Sequence, residues 1–251
     1  MQGQTTIETA IMKHIGLQRH RVKNRYGLLL AFFLAELIST PLLEGSKAAA
    51  YAADLFFYLV LAAAVFSIRN SRFFKLAIVL GAGALAAETC SYFAARTTNL
   101  VAANFLACAF LVVVTLKIGV NVAKQDKIQG DTVMGGLCVY VLMGIFWTIL
   151  FLNLELIKPG SFDFTVHGPR QDLMTLYSLM FYYSFVTLLT IGFGDVAPMS
   201  GTAQTLTILE GLIGQFYLIF FMASLVGLYI YRRESGPPDN DKTDADHNAP
   251  I

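Results

Sequence analysis

The run Thr187-Leu188-Leu189-Thr190-Ile191-Gly192-Phe193-Gly194-Asp195 concentrates the chemistry of this chain in its backbone. Gly192 and Gly194 alternate with Ile191 and Phe193, and glycine enters left-handed dihedrals at little steric cost, so successive carbonyls can all turn toward one axis. A dehydrated hard cation is held by such an oxygen cage. The preceding apolar segment, residues 173–188, is too short to cross a ~30 Å hydrocarbon core at 1.5 Å per residue and is expected to be a re-entrant half-helix. Its partially negative C-terminal end then points toward the membrane centre, where it favours a waiting cation. Non-helical backbone at that depth has to line a wet cavity or be buried in protein, because lipid satisfies no carbonyl.

The elements that must position this loop are read from composition. Of 251 residues, 56% are hydrophobic and only 14% charged, against about a quarter charged in soluble domains. This excludes a large soluble catalytic or ligand-binding domain and predicts an all-α membrane protein. Apolar runs at 26–43, 51–68, 73–95, 100–122, 133–156 and 203–231 predict six spanning helices. Fourteen of the 18 Lys and Arg residues fall in the arm before the first span, the loops after the second and fourth, and the tail after the sixth. Lys47, Arg96, Lys158 and Arg170 fall on the other side, so both termini are expected to be cytoplasmic.

The expected organisation is a basic cytoplasmic arm (1–25), a four-helix unit (26–122), a cytoplasmic linker (123–132), a pore unit (133–231) and a disordered cytoplasmic tail (232–251). Within the pore unit come an outer helix (133–156), a turret (157–172), a pore helix (173–188), a filter (190–195) and an inner helix (203–231). A net charge of +1 gives no footprint for nucleic acid. Cys90, Cys108 and Cys138 lie in apolar stretches with no metal-ligand or disulfide spacing. There is no nucleophile–base set, metal-ligand cluster or phosphate loop, so an enzyme is not expected.

At Thr190-Ile191-Gly192-Phe193-Gly194-Asp195 the sequence resembles the tetrameric potassium-channel superfamily, whose filter reads Thr-x-Gly-Tyr/Phe-Gly-Asp. The resemblance covers about Val133–Tyr231 and implies a homotetramer, with carbonyls of Thr190, Ile191, Gly192, Phe193 and Gly194, and the Thr190 hydroxyl, replacing the hydration shell of K+. It implies no cofactor beyond K+ ions in the filter, and no partner beyond further copies of the chain and membrane lipids. Asp195, Tyr182, Tyr183 and Glu155 are expected to support the filter. The two tyrosines stand where tryptophans are frequent, with hydroxyls that can reach Asp195 or filter backbone, and Glu155 resembles a glutamate bracing the backbone behind the filter. Phe193 replaces the commoner tyrosine, Leu189 a frequent threonine, and Val186 a residue that is acidic in some members.

Gly214 resembles the hinge glycine of the family's inner helices. Both it and Gly211 are open to a second reading as close-packing positions. Ala223 and Ser224, further inward, are candidates for the constriction.

The fourth span carries no arginine, only Lys117 near its cytoplasmic end, so steep voltage gating is not expected. Glu36, Asp54 and Glu88 fall in the outer half of the first three spans and are candidate sensor acids, with structural ion pairing or hydrogen bonding as the alternative. The expectation is a K+-selective passive channel of the plasma membrane. A weakly selective Na+/K+ pore and a non-conducting auxiliary subunit or receptor of the same fold stay open.

Overall fold

The computed structural model describes residues 25–42, 73–94, 97–125, 129–164, 168 and 172–234. Four helices come first: α1 (Arg25–Leu42), α2 (Phe74–Ala94), α3 (Thr97–Ala123) and α4 (Gly130–Ile157). There follow the two-residue strand β1 (Phe162–Asp163), α5 (Leu173–Leu188), β2 (Ala197–Pro198), α6 (Gly201–Phe216), a π-helical segment (Tyr217–Met222) and α7 (Ala223–Glu234). The described chain is thus mostly helical, and three stretches are long and apolar enough to cross a membrane: Thr98–Ala123, Gly130–Ile157 and Gly201–Tyr231.

The run 51–68 and Asp54 lie outside the described residues, as do 1–24 and 235–251. α1 and α2 occupy the first and third runs, but their apolar stretches, Tyr26–Ala35 and Phe74–Ala87, are shorter than a full crossing. Glu36 and Glu88 lie on these two helices. The last span is expected as one helix over 203–231; the structure starts it at Gly201 and interrupts it with the π-helical segment before α7.

α4 is the hub, touching α1, α3, α5, α6 and α7. Lipid tails are as apolar as leucine, so helices in a membrane associate through close packing rather than through exclusion from water. Glycines on α4 allow that approach. A Cβ at Gly144 would stand 2.6 Å from the Phe185 ring of α5. Tyr26, Leu111, Val114, Ile118 and Leu142 fill the core between α1, α3 and α4. Asp131 in the first turn of α4 accepts the backbone N–H groups of Tyr26 (3.1 Å) and Gly27 (3.2 Å), placing a carboxylate at the N-terminus of α1, where the helix dipole favours it.

Candidate functional site: a strained carbonyl loop at the end of a short apolar helix

α5 is started by its cap and stopped at Thr190, which takes the left-handed conformation just past the helix end. The Asp172 carboxylate accepts the Thr175 backbone N–H at 3.3 Å. Hydrogen bonds from Thr175, side chain first and backbone second, hold the Asp172 carboxyl below the usual carboxylate range, so it is ionised at the helix N-terminus at neutral pH. Sixteen residues later the helix unwinds. Leu189 N–H still bonds Phe185 O at 2.9 Å, then Thr190 N–H bonds Thr187 O at 3.0 Å and Ile191 N–H bonds Val186 O at 2.9 Å.

Beyond that turn the backbone alternates. Thr190 has φ +56°, Gly192 +64° and Gly194 +76°, and among the described residues Thr190 is the one non-glycine with positive φ. A threonine in the left-handed region is unfavourable, and such strain persists only where the surroundings over-determine it. Left-handed residues at every second position turn consecutive peptide carbonyls the same way, instead of to opposite sides as in a strand. Nothing stands within 4 Å of a Cβ built on Gly192 or Gly194, so dihedral freedom is what the sequence needs there, not space.

Three contacts brace the loop. Tyr182 stacks on Phe193 with planes 1° apart and centroids 6.5 Å apart, and its phenol is hydrogen-bonded to Asp195. Asp195 also accepts the Val196 N–H at 3.1 Å. Tyr183 is directed elsewhere: its hydroxyl meets Thr207 Oγ1 on α6 at 2.6 Å, and its ring packs edge-on against Phe151 and Phe162. The two adjacent tyrosines lie about 100° apart on the helix, so their hydroxyls reach different partners although both line the cleft beside the loop.

Glu155 acts one step further back. Its carboxylate accepts Gly160 N–H at 2.7 Å and Phe162 N–H at 3.0 Å, shaping the turn into β1. β1 then pairs antiparallel with β2, Phe162 opposite Pro198 and Asp163 opposite Ala197. The segment leaving the loop is therefore tied to the end of α4 through this ladder. Between loop and α5 lies a cleft of about 370 Å³ lined by Tyr182, Thr187, Thr190, Gly194 and Asp195.

On the inner helix the sequence candidates separate. Gly214 is buried, and a Cβ there would stand 2.6 Å from Leu188 Cδ2, which fits the close-packing reading at the end of α5. Gly211 faces open space. The π-helical segment begins three residues after Gly214; π-bulges mark bends and functional sites in long helices. Ala223 and Ser224 open α7 on an exposed face, with the Ser224 hydroxyl bonded to Phe220 O at 2.6 Å.

Two residues that the sequence analysis does not single out join the site. The Tyr140 hydroxyl of α4 donates to Leu188 O at 2.7 Å, satisfying a carbonyl that the end of α5 leaves open. Glu210 is 0% exposed, within 2.5 Å of the Ser184 hydroxyl of α5. The signal for Glu210 was present, because it is the one charged residue between 201 and 231. Away from the site, Asn104 of α3 donates to Asn153 Oδ1 of α4 at 2.9 Å.

Residues 162–230 match the family model described as "Ion channel", a segment running from β1 through the carbonyl loop to the end of the inner helix. No curated protein matches the chain. The family match supports an ion channel, and the apolar helices a membrane protein.

Proposed function

We propose that this protein is a homotetrameric, K+-selective channel of the plasma membrane that passes ions down their gradient. Each chain contributes six spanning helices with both termini cytoplasmic. The observation that carries this reading is the alternation of left-handed dihedrals at Thr190, Gly192 and Gly194, immediately beyond a half-membrane helix. Carbonyls turned to one side of a single strand make one wall of an oxygen cage, and a ring of copies closes it. K+ at the carbonyls of Thr190, Ile191, Gly192, Phe193 and Gly194 is then the only bound species required.

Exposure argues for the ring. Ile191 is 48% and Phe193 68% exposed in a single chain, and Ile208, Leu212, Ile213 and Phe216 of α6 are uncovered as well. Gate and hinge are assigned to Gly211, Gly214, Ala223 and Ser224, with the π-helical segment supplying the bend. Glu36, Asp54 and Glu88 remain candidate sensor acids in the outer half of the first three spans.

The test is ion flux through purified protein in liposomes under K+ and Na+ gradients, with Gly192→Ala as the paired variant. K+ flux without Na+ flux, abolished by the substitution, is the expected result. Equal flux of both ions replaces the selective reading with a weakly selective pore. Intact tetramers that pass neither ion overturn the conducting reading.

A further inference from the structure

A hydroxyl carries one proton, yet the Ser184 hydroxyl makes two close contacts with oxygen atoms: Gly144 O at 2.9 Å on α4 and Glu210 Oε1 at 2.5 Å on α6. If Ser184 gives its proton to Glu210, its lone pairs face the Gly144 carbonyl without a hydrogen between them. If it gives the proton to Gly144, the 2.5 Å contact needs a hydrogen from the carboxyl. Both contacts are hydrogen bonds only when Glu210 itself carries a proton and donates it to Ser184, which in turn donates to Gly144.

The surroundings support the same assignment independently. Glu210 is fully buried, and its second oxygen, Oε2, has no hydrogen-bond partner. An orphaned carboxylate oxygen in an apolar interior carries a large desolvation penalty, and the carbonyl oxygen of a neutral acid a much smaller one. The titratable groups facing it are Tyr140 from α4 and Tyr183 from α5, both hydroxyls, and no cation among the described residues acts on it.

We propose that Glu210 is a neutral carboxylic acid acting as a positioning residue, the first donor of a relay Glu210–Ser184–Gly144 that fixes the inner helix to the pore helix and the outer helix. The relay crosses α5 four residues before Leu188, the residue that Tyr140 holds by its carbonyl and that covers Gly214. It therefore ties the height and rotation of the loop to the position of the inner helix. Loss of the proton breaks the relay twice, because the carboxylate can only accept and Ser184 must then turn its single hydrogen away from Gly144.

The experiment has two arms, and its second arm rests on the channel reading while its first does not. In the first, infrared difference spectra of purified wild type against Glu210→Gln at neutral pH should show a protonated-carboxyl C=O stretch in the wild type. Carboxylate bands alone overturn the proposal, whether or not the protein conducts. In the second, K+ flux is followed from about pH 6 to about pH 10, a range that includes titration of buried glutamates. Wild-type flux should fall about tenfold as that infrared band disappears, roughly the weight of one neutral hydrogen bond at the upper end of its usual range. Glu210→Gln retains a donor for Ser184 and should assemble and conduct with a flat profile. Flux that falls equally in wild type and Glu210→Gln overturns the positioning role. Absence of flux in every protein counts against the channel reading and leaves the infrared arm to decide the proton.

Discussion

At Gly192 the demand on the residue is purely conformational. Its φ of +64° with open space around a built Cβ means that alanine meets no clash and still loses about 1–2 kcal/mol per chain to the left-handed backbone. In the proposed ring that cost recurs in every copy and collapses the cage, which is why Gly192→Ala is expected to abolish flux without unfolding the helices. Tyr140 is a different kind of residue, since its hydroxyl satisfies a carbonyl. Tyr140→Phe keeps the ring stacked near Tyr217 but leaves Leu188 O buried and unpaired, at about 1–3 kcal/mol. A lower unfolding temperature of the purified assembly is expected; an unchanged one means that Leu188 O finds another donor. These residues also mark what the sequence made legible. The demands at Gly192 and Gly194 are local dihedral preferences and can be read from contiguous letters, whereas the left-handed Thr190 runs against its own preference and is imposed by its surroundings. Glu210 was readable by the rule that singled out Glu36, Asp54 and Glu88, an acid inside an apolar run. Tyr140 was not, because α4 is buried on nearly every side and has no polar face to show which tyrosine meets the pore helix.

Between elements, the decisive contact is α5 against α4. Apolar length identified the half-helix, and the Asp172 cap and the left-handed Thr190 mark its ends. Which face of it meets α4 is set by Gly144, whose notch receives the Phe185 ring. Gly144→Ala puts a methyl carbon 2.6–2.8 Å from two ring atoms. Overpacking of this kind costs about 1–3 kcal/mol, and it lifts α5 away from the helix that supplies Gly144 O and Tyr140. Gly144→Ala is therefore expected to lower both thermal stability and flux, and Phe185→Leu in the same chain to restore part of each. A double variant no better than the single one would place the damage elsewhere. Gly214 is less sensitive to its neighbour, because the atom in the way is the end of a leucine side chain that can rotate. The interruption at Tyr217–Met222 could not be foreseen, since π-helical turns arise from packing and leave no periodic mark in an apolar sequence.

For the molecule as a whole, the distribution of charge bears on what would control the proposed pore. One elementary charge crossing the field contributes about 2.3 kcal/mol per 100 mV, so steep voltage dependence needs several such charges in every chain. α3, the fourth apolar run, offers one. Lys117 lies six residues from the C-terminal end of α3, with its ammonium 5.7 Å over the Phe73 ring at the start of α2. A cation held by an aromatic face at the helix end has little of the field left to cross. Conductance is therefore expected to vary shallowly with voltage, and Lys117→Gln to leave that shallow relation unchanged in planar-bilayer recordings. A steep wild-type relation flattened by Lys117→Gln would make this lysine a gating charge and α3 a moving sensor. With the shallow relation observed, control of the pore falls to groups that titrate or bind, and a buried carboxyl joining the inner helix to the pore helix is placed where a change of one proton alters the geometry of the loop.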